Sequence, residues 1–181
     1  MARKRKYYPS SNDENTIDAK VQLWLLRLLI SLGCHNRFIG EEHYTDYDIA
    51  TLFHLPVSVP FDAGRAYNQL ATLHQEAEIN ITSYTLPYPL ANNIAQLAEI
   101  IELSDVEREL LIFTIFLQNN FLLNNACDWL GSELNPLRFY RNLSVLLAIP
   151  ENEVKAALSS EAVLIQTGLI KIDRSLWLAI I

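Results

Sequence analysis

Residues 136–172 read PLRFYRNLSVLLAIPENEVKAALSSEAVLIQTGLIKI, and the punctuation of this stretch decides the fold. Phe139, Leu143, Leu146 and Leu147 recur at helical spacing, which predicts a helix over Pro136–Ala148. Ile149-Pro150 makes a tight turn, and Pro150 opens a second helix, Glu151–Leu158, at a place where a missing N–H costs nothing. Val154 and Leu158 would pack that helix onto the first. Leu169–Asp173 reads as a strand, and Arg174-Ser175 turns the chain into Leu176–Ile181. Thr167-Gly168-Leu169-Ile170 suits the junction, because glycine accepts the positive φ of a helix exit. Helix, tight turn, helix and wing strand are the layout of a winged helix-turn-helix.

The chain upstream is also helical in pattern. Val21, Trp24, Leu25, Leu28, Leu29 and Leu32 give one face of a helix over Thr16–Leu32, with Gln22 and Arg27 toward water and Gly33 as its left-handed cap. Thr45 opens a short helix whose apolar face is Ile49, Leu52 and Phe53. Further helices are expected over Ala63–Ala77 and Leu90–Ile101, and after Ser104, which with Glu107 forms a capping box. Asn119-Asn120 and Asn124-Asn125 mark a turn around Phe121–Leu123. Residues 78–89, with Pro87 and Pro89, read as a strand fragment or extended linker, the boundary between two subdomains. The expected fold is mainly α, a helical bundle followed by a winged helix-turn-helix-like module. Three parts follow: a flexible basic leader over 1–15, an N-terminal helical subdomain over 16–88, and a helical and winged-helix-like subdomain over 89–181.

Of 181 residues, 50% are apolar and 19% charged, a globular composition. Arg3, Lys4, Arg5 and Lys6 hold four of the 14 basic residues, and setting them aside takes the formal charge from −7 to −11. Such a body repels a polyanion unless its charges are segregated. The expected recognition helix carries Glu151, Asn152, Glu153 and Lys155, with Glu161 just beyond, where phosphate contact asks for Arg, Lys, Asn or Gln. Charge therefore argues against nucleic acid, and a winged-helix DNA-binding regulator stands only as the alternative reading. The apolar runs Val21–Leu32 and Leu110–Leu117 fall short of the roughly 18–20 residues that span a bilayer, so no membrane is expected. Cys34 and Cys127 form no CxxC pair, and the basic, polar start is no secretory leader, which points to a reducing cytoplasm.

No catalytic set converges. Glu41, Glu42, His43 and Asp46 read as a solvated acidic loop leading into a helix start, and Cys34-His35 lacks the distant partner of a thiol nucleophile. His54 and His74 read as partly buried structural histidines, and Trp24, Trp129 and Trp177 as core anchors. No catalytic, cofactor-binding or metal residue is assigned. The contact residues expected for a protein partner are Glu151, Asn152 and Glu153 at the acidic helix start, and His35 and Arg37 in the irregular loop before Tyr44.

Several segments, in order, resemble one family. Leu26–Ile39 (LRLLISLGCHNRFI) with Tyr47-Asp48-Ile49-Ala50, then Asn92–Ala98 (NNIAQLA) with Leu103–Leu111 (LSDVERELL), then Ile149–Leu158 (IPENEVKAAL) with Leu164–Ile170 (LIQTGLI), are similar to the region preceding the motor core in a group of bacterial AAA+ ATPases. The resemblance implies a helical, winged-helix-bearing N-terminal domain that binds a partner or substrate protein and positions a downstream ATPase core. ATP and magnesium are implied for that core alone. Gly33, Gly40, Gly64, Gly131 and Gly168 include none placed in GxxxxGK[ST], the loop whose amides cradle nucleotide phosphates, so this chain is expected to be non-catalytic and to lie ahead of the motor.

Overall fold

The computed structural model describes residues 11–57, 60–80, 86–131, 136–172 and 179–180. The chain is mainly helical. Its elements are α1 (Ser11–Leu26) running into a π-helical segment (Arg27–Ser31), α2 (His35–Phe38), α3 (Tyr47–Leu52), α4 (Ala63–Ile79), α5 (Tyr88–Ile101), α6 (Asp105–Asn119), α7 (Phe121–Cys127) with a 3-10 turn (Asp128–Leu130), α8 (Pro136–Leu147), α9 (Glu151–Ala157), α10 (Val163–Gln166), β1 (Ile170–Lys171) and β2 (Ala179–Ile180). β1 and β2 pair antiparallel, Ile170 opposite Ile180 and Lys171 opposite Ala179. Residues 1–10, with the basic run and Tyr7-Tyr8, lie outside the described residues, as do 81–85 of the expected linker and Trp177.

α1 and its π segment are the axis of the bundle. They touch α2, α4, α7 and α8, so Leu23 through Leu29 are all buried. Trp24 meets Phe113 edge-on at 5.1 Å and Phe116 at 5.5 Å, joining the first helix to α6. One continuous apolar cluster runs from Val21 through Leu110, Phe113 and Leu143 to Ile170. Among the described residues no single helix is long and apolar enough to cross a membrane.

The structure corrects the sequence reading in several places. α1 begins at Ser11, absorbing the last five residues of the expected leader; nothing from Ser11 to Asn15 is a proline or glycine. The helix also changes pitch at its end, where the Leu32 amide bonds to the Arg27 carbonyl at 3.0 Å before Gly33 takes φ +75°. Arg27 does not face water: it is 3% exposed, because a helix surrounded by others has no solvent side at that position.

Asp46, not Thr45, caps α3, its Oδ1 accepting from the amides of Asp48 and Ile49, both at 3.0 Å. The Thr45 hydroxyl is engaged elsewhere, donating to the Arg37 carbonyl at 2.9 Å. The Asn124-Asn125 pair does not turn the chain. α7 passes through it, capped by Asn120, while the Asn124 amide reaches back to the Leu117 carbonyl near the end of α6. α4 runs on to Ile79 and α5 starts at Tyr88, so helix takes both ends of the expected linker. His54 is exposed, at φ +49° in the helix exit after α3.

Candidate functional site

The buried polar groups Arg27, Glu107 and Thr114 are structural. Arg27 donates from Nε and Nη2 to the two Glu78 carboxylate oxygens at 2.6 and 2.8 Å, and from Nη1 to the Leu146 carbonyl at 2.7 Å. One guanidinium thus ties the π segment to α4 and to the last turn of α8, where carbonyls lack helical partners. This hydrogen bonding, ahead of the Coulomb attraction, holds the Glu78 carboxyl below its ordinary pKa. His74, half-buried on the same face of α4, lies 3.2 Å from Glu78 Oε1.

Glu107 is a second buried acid, 6% exposed, and its oxygens are shared between two helix starts. Oε2 accepts from the Ser104 amide at 3.0 Å, completing the capping box expected from the sequence. Oε1 accepts from the Val163 amide at 2.9 Å, at the start of α10 and 56 residues away in the chain. Periodicity finds the first role; the second depends on tertiary packing and leaves no local signal.

The two cysteines are buried. Burial pushes the Cys34 thiol up to about 11 against a smaller lowering by Arg37, and raises Cys127 further. Neither is an activated nucleophile.

The expected contact residues do not share one pocket. His35 points inward: its Nδ1 lies 3.0 Å from the Leu29 carbonyl and its ring packs on Tyr67 at 4.8 Å. Glu151 is held by Lys155 one turn on, at 2.6 Å. Asn152 and Glu153 are exposed. Glu153 borders a groove of about 400 Å³ between the start of α6, the second half of α9 and the start of α10, with Val106, Ala156, Ala157 and Val163 as its apolar lining and Glu161 on its edge.

Arg37 belongs to a different place. It lines a cleft of about 480 Å³ between the end of the π segment and α8, together with Arg138 and Arg141. Gly33, Trp129 and Leu130 also line it, and no Asp or Glu borders it among the described residues. Sequence reasoning missed Arg138 and Arg141. Their signal was their three-residue spacing, which puts both on one helical face, but their meeting with Arg37 is long-range.

No family model, curated protein or solved structure matches the chain.

Proposed function

We propose that the chain is a non-catalytic protein-interaction domain, an adaptor or substrate-recognition module of the kind that precedes an AAA+ motor core. The groove bounded by α6, α9 and α10 is the observation that carries this reading. Its floor is small and apolar, and two carboxylates on its edge, Glu153 and Glu161, make no ion pair among the described residues. Glu107 also lines it, but its oxygens are taken by amide donors. A partner segment that carries Lys or Arg beside small apolar side chains matches both floor and rim. The order α8–α9–α10–β1–β2 is compatible with a winged helix used as a protein-binding platform. The exposed acids around α9 weigh against duplex DNA as its ligand.

A displayed library of random peptides, selected against the purified chain, tests the groove. Enrichment of basic peptides with small apolar neighbours, lost on Glu153→Lys with Glu161→Lys at unchanged melting temperature, supports the reading. Enrichment indifferent to the double charge reversal refutes it. The motor assignment is tested by the gene: a GxxxxGK[ST] segment within about one domain length, roughly 100–150 residues, beyond Ile181 is the expected finding. A stop codon directly after Ile181 ends that part of the proposal.

A further inference from the structure

We infer that the cleft formed by Arg37, Arg138 and Arg141 is a binding site for a compact polyphosphate anion, the diphosphate moiety of a small molecule. Four observations lead to it.

The first is charge distribution. The chain has 21 acidic residues against 14 Lys and Arg, so carboxylate partners outnumber its cations. Lys20, Arg27, Arg108 and Lys155 follow that expectation, pairing with Glu109, Glu78, Asp105 and Glu151. Among the described residues, Arg37, Arg138 and Arg141 form no hydrogen bond or ion pair through their guanidinium groups, and all three line the same cleft.

The second is the local field. Arg138 stands in the first turn of α8, a 12-residue helix with no acidic residue in that turn. The helix dipole is positive there and opposes a cation. Three like charges and a helix start are gathered in one concavity without a counter-ion among the described residues. An anion in the cleft relieves that repulsion.

The third is donor chemistry. Each guanidinium offers a planar fork of N–H donors that matches pairs of phosphate oxygens. A single carboxylate saturates one such fork. Three forks around one cleft call for a ligand with several oxygens and two or more negative charges, which a diphosphate supplies.

The fourth is size. About 480 Å³ lies in the range of small-molecule sites and leaves room beyond the phosphates. Trp129 and Leu130 provide an apolar wall for whatever carries them. This site is separate from the acidic groove proposed for the partner, and neither assignment depends on the other.

The test is titration calorimetry of the chain in low salt with inorganic pyrophosphate, ATP, orthophosphate, a poly-glutamate peptide and a short single-stranded oligonucleotide. Pyrophosphate and ATP are expected to bind saturably and more tightly than orthophosphate, distinguishing the free anion from a nucleotide by which is tighter. Arg138→Gln and Arg141→Gln are each expected to weaken pyrophosphate about tenfold or more, the loss of one charge-assisted contact. Arg65→Gln, at an exposed arginine outside the cleft with no ion pair among the described residues, is expected to leave affinity unchanged. All three positions are exposed, so the melting temperatures should match wild type and the comparison stays valid. The inference is overturned by the absence of saturable pyrophosphate binding, or by equal weakening in Arg65→Gln. Tighter binding of the oligonucleotide or of poly-glutamate than of pyrophosphate also overturns it, assigning the cleft to a macromolecule instead.

Discussion

Replacing Glu78 by Gln should destabilise the protein more than deleting the arginine it holds. Arg27 is 3% exposed and Glu78 35%, so the two partners are left in very different surroundings when the other is removed. In Glu78→Gln the guanidinium stays buried without a counter-charge, and one of its two carboxylate bonds becomes an amide facing a donor. Breaking a buried pair in this way costs about 3–5 kcal/mol, and the partial exposure of Glu78 lowers the figure to about 2–3 kcal/mol. In Arg27→Met the stem is replaced by a side chain of similar volume, and the carboxylate regains water. The Leu146 carbonyl loses its donor, so about 1–2 kcal/mol is expected. At about 2–4 °C per kcal/mol for a domain of this length, melting temperatures should fall by roughly 4–12 °C for Glu78→Gln and 2–8 °C for Arg27→Met. The double variant should resemble Arg27→Met, and a double-mutant cycle from urea melts isolates the coupling. The pH dependence has a definite sign. The folded carboxyl keeps its charge below the ordinary glutamate pKa, so its stabilisation is complete above about pH 4–5 and is lost as pH falls through the depressed folded value. The gap between wild type and Glu78→Gln should therefore narrow in acid. A Glu78→Gln protein within about 0.5 kcal/mol of wild type at pH 7, or less damaged than Arg27→Met, would refute the reasoning.

Glu107→Gln leaves a single carbonyl oxygen to serve amides on two helices, and a loss of about 2 kcal/mol is expected from chemical melts; an unchanged midpoint would show that the shared cap contributes nothing. Ala148 sits at φ +54° in the turn between α8 and α9, so Ala148→Gly should stabilise by about 0.5 kcal/mol in the same melts. Gly33→Ala is the converse: at φ +75°, with nothing near the added methyl, it should cost about 1 kcal/mol through backbone strain alone. With its thiol held near 11, Cys34 is ionised at pH 8 to about one part in a thousand, so an aromatic disulfide reagent should label it only at the rate of unfolding. Rapid labelling of the native chain contradicts that burial.

Local chemistry carried most of what was legible in the sequence. Ser104 with Glu107, Pro150 at a helix start and the glycines at 33 and 168 announce themselves within a few residues, and each performs the expected backbone role. The errors arose where the third dimension decides. Arg27 lies off the apolar stripe of Val21, Leu25 and Leu28 on a helical wheel and reads as solvent-facing, until the helix proves to be enclosed on every side. Asn124-Asn125 resembles a turn, yet its amide is satisfied by the preceding helix and α7 continues. At the candidate sites, Glu153 and Arg37 were found by charge and exposure. Arg138 and Arg141 were passed over because an amphipathic helix ordinarily displays such residues to water, and nothing in the sequence says that Arg37 will come to meet them.

The Glu107 bridge bears on how the chain comes apart. Opening the first turn of α6 releases the amides of Val163 and Leu164 at the same instant, since both hang from the same carboxylate. The C-terminal hairpin side and the middle of the chain are thereby latched into one cooperative unit. In native-state hydrogen exchange the Val163 amide should slow to the pace of α6 rather than fray with its own four-residue helix, and urea should release both together.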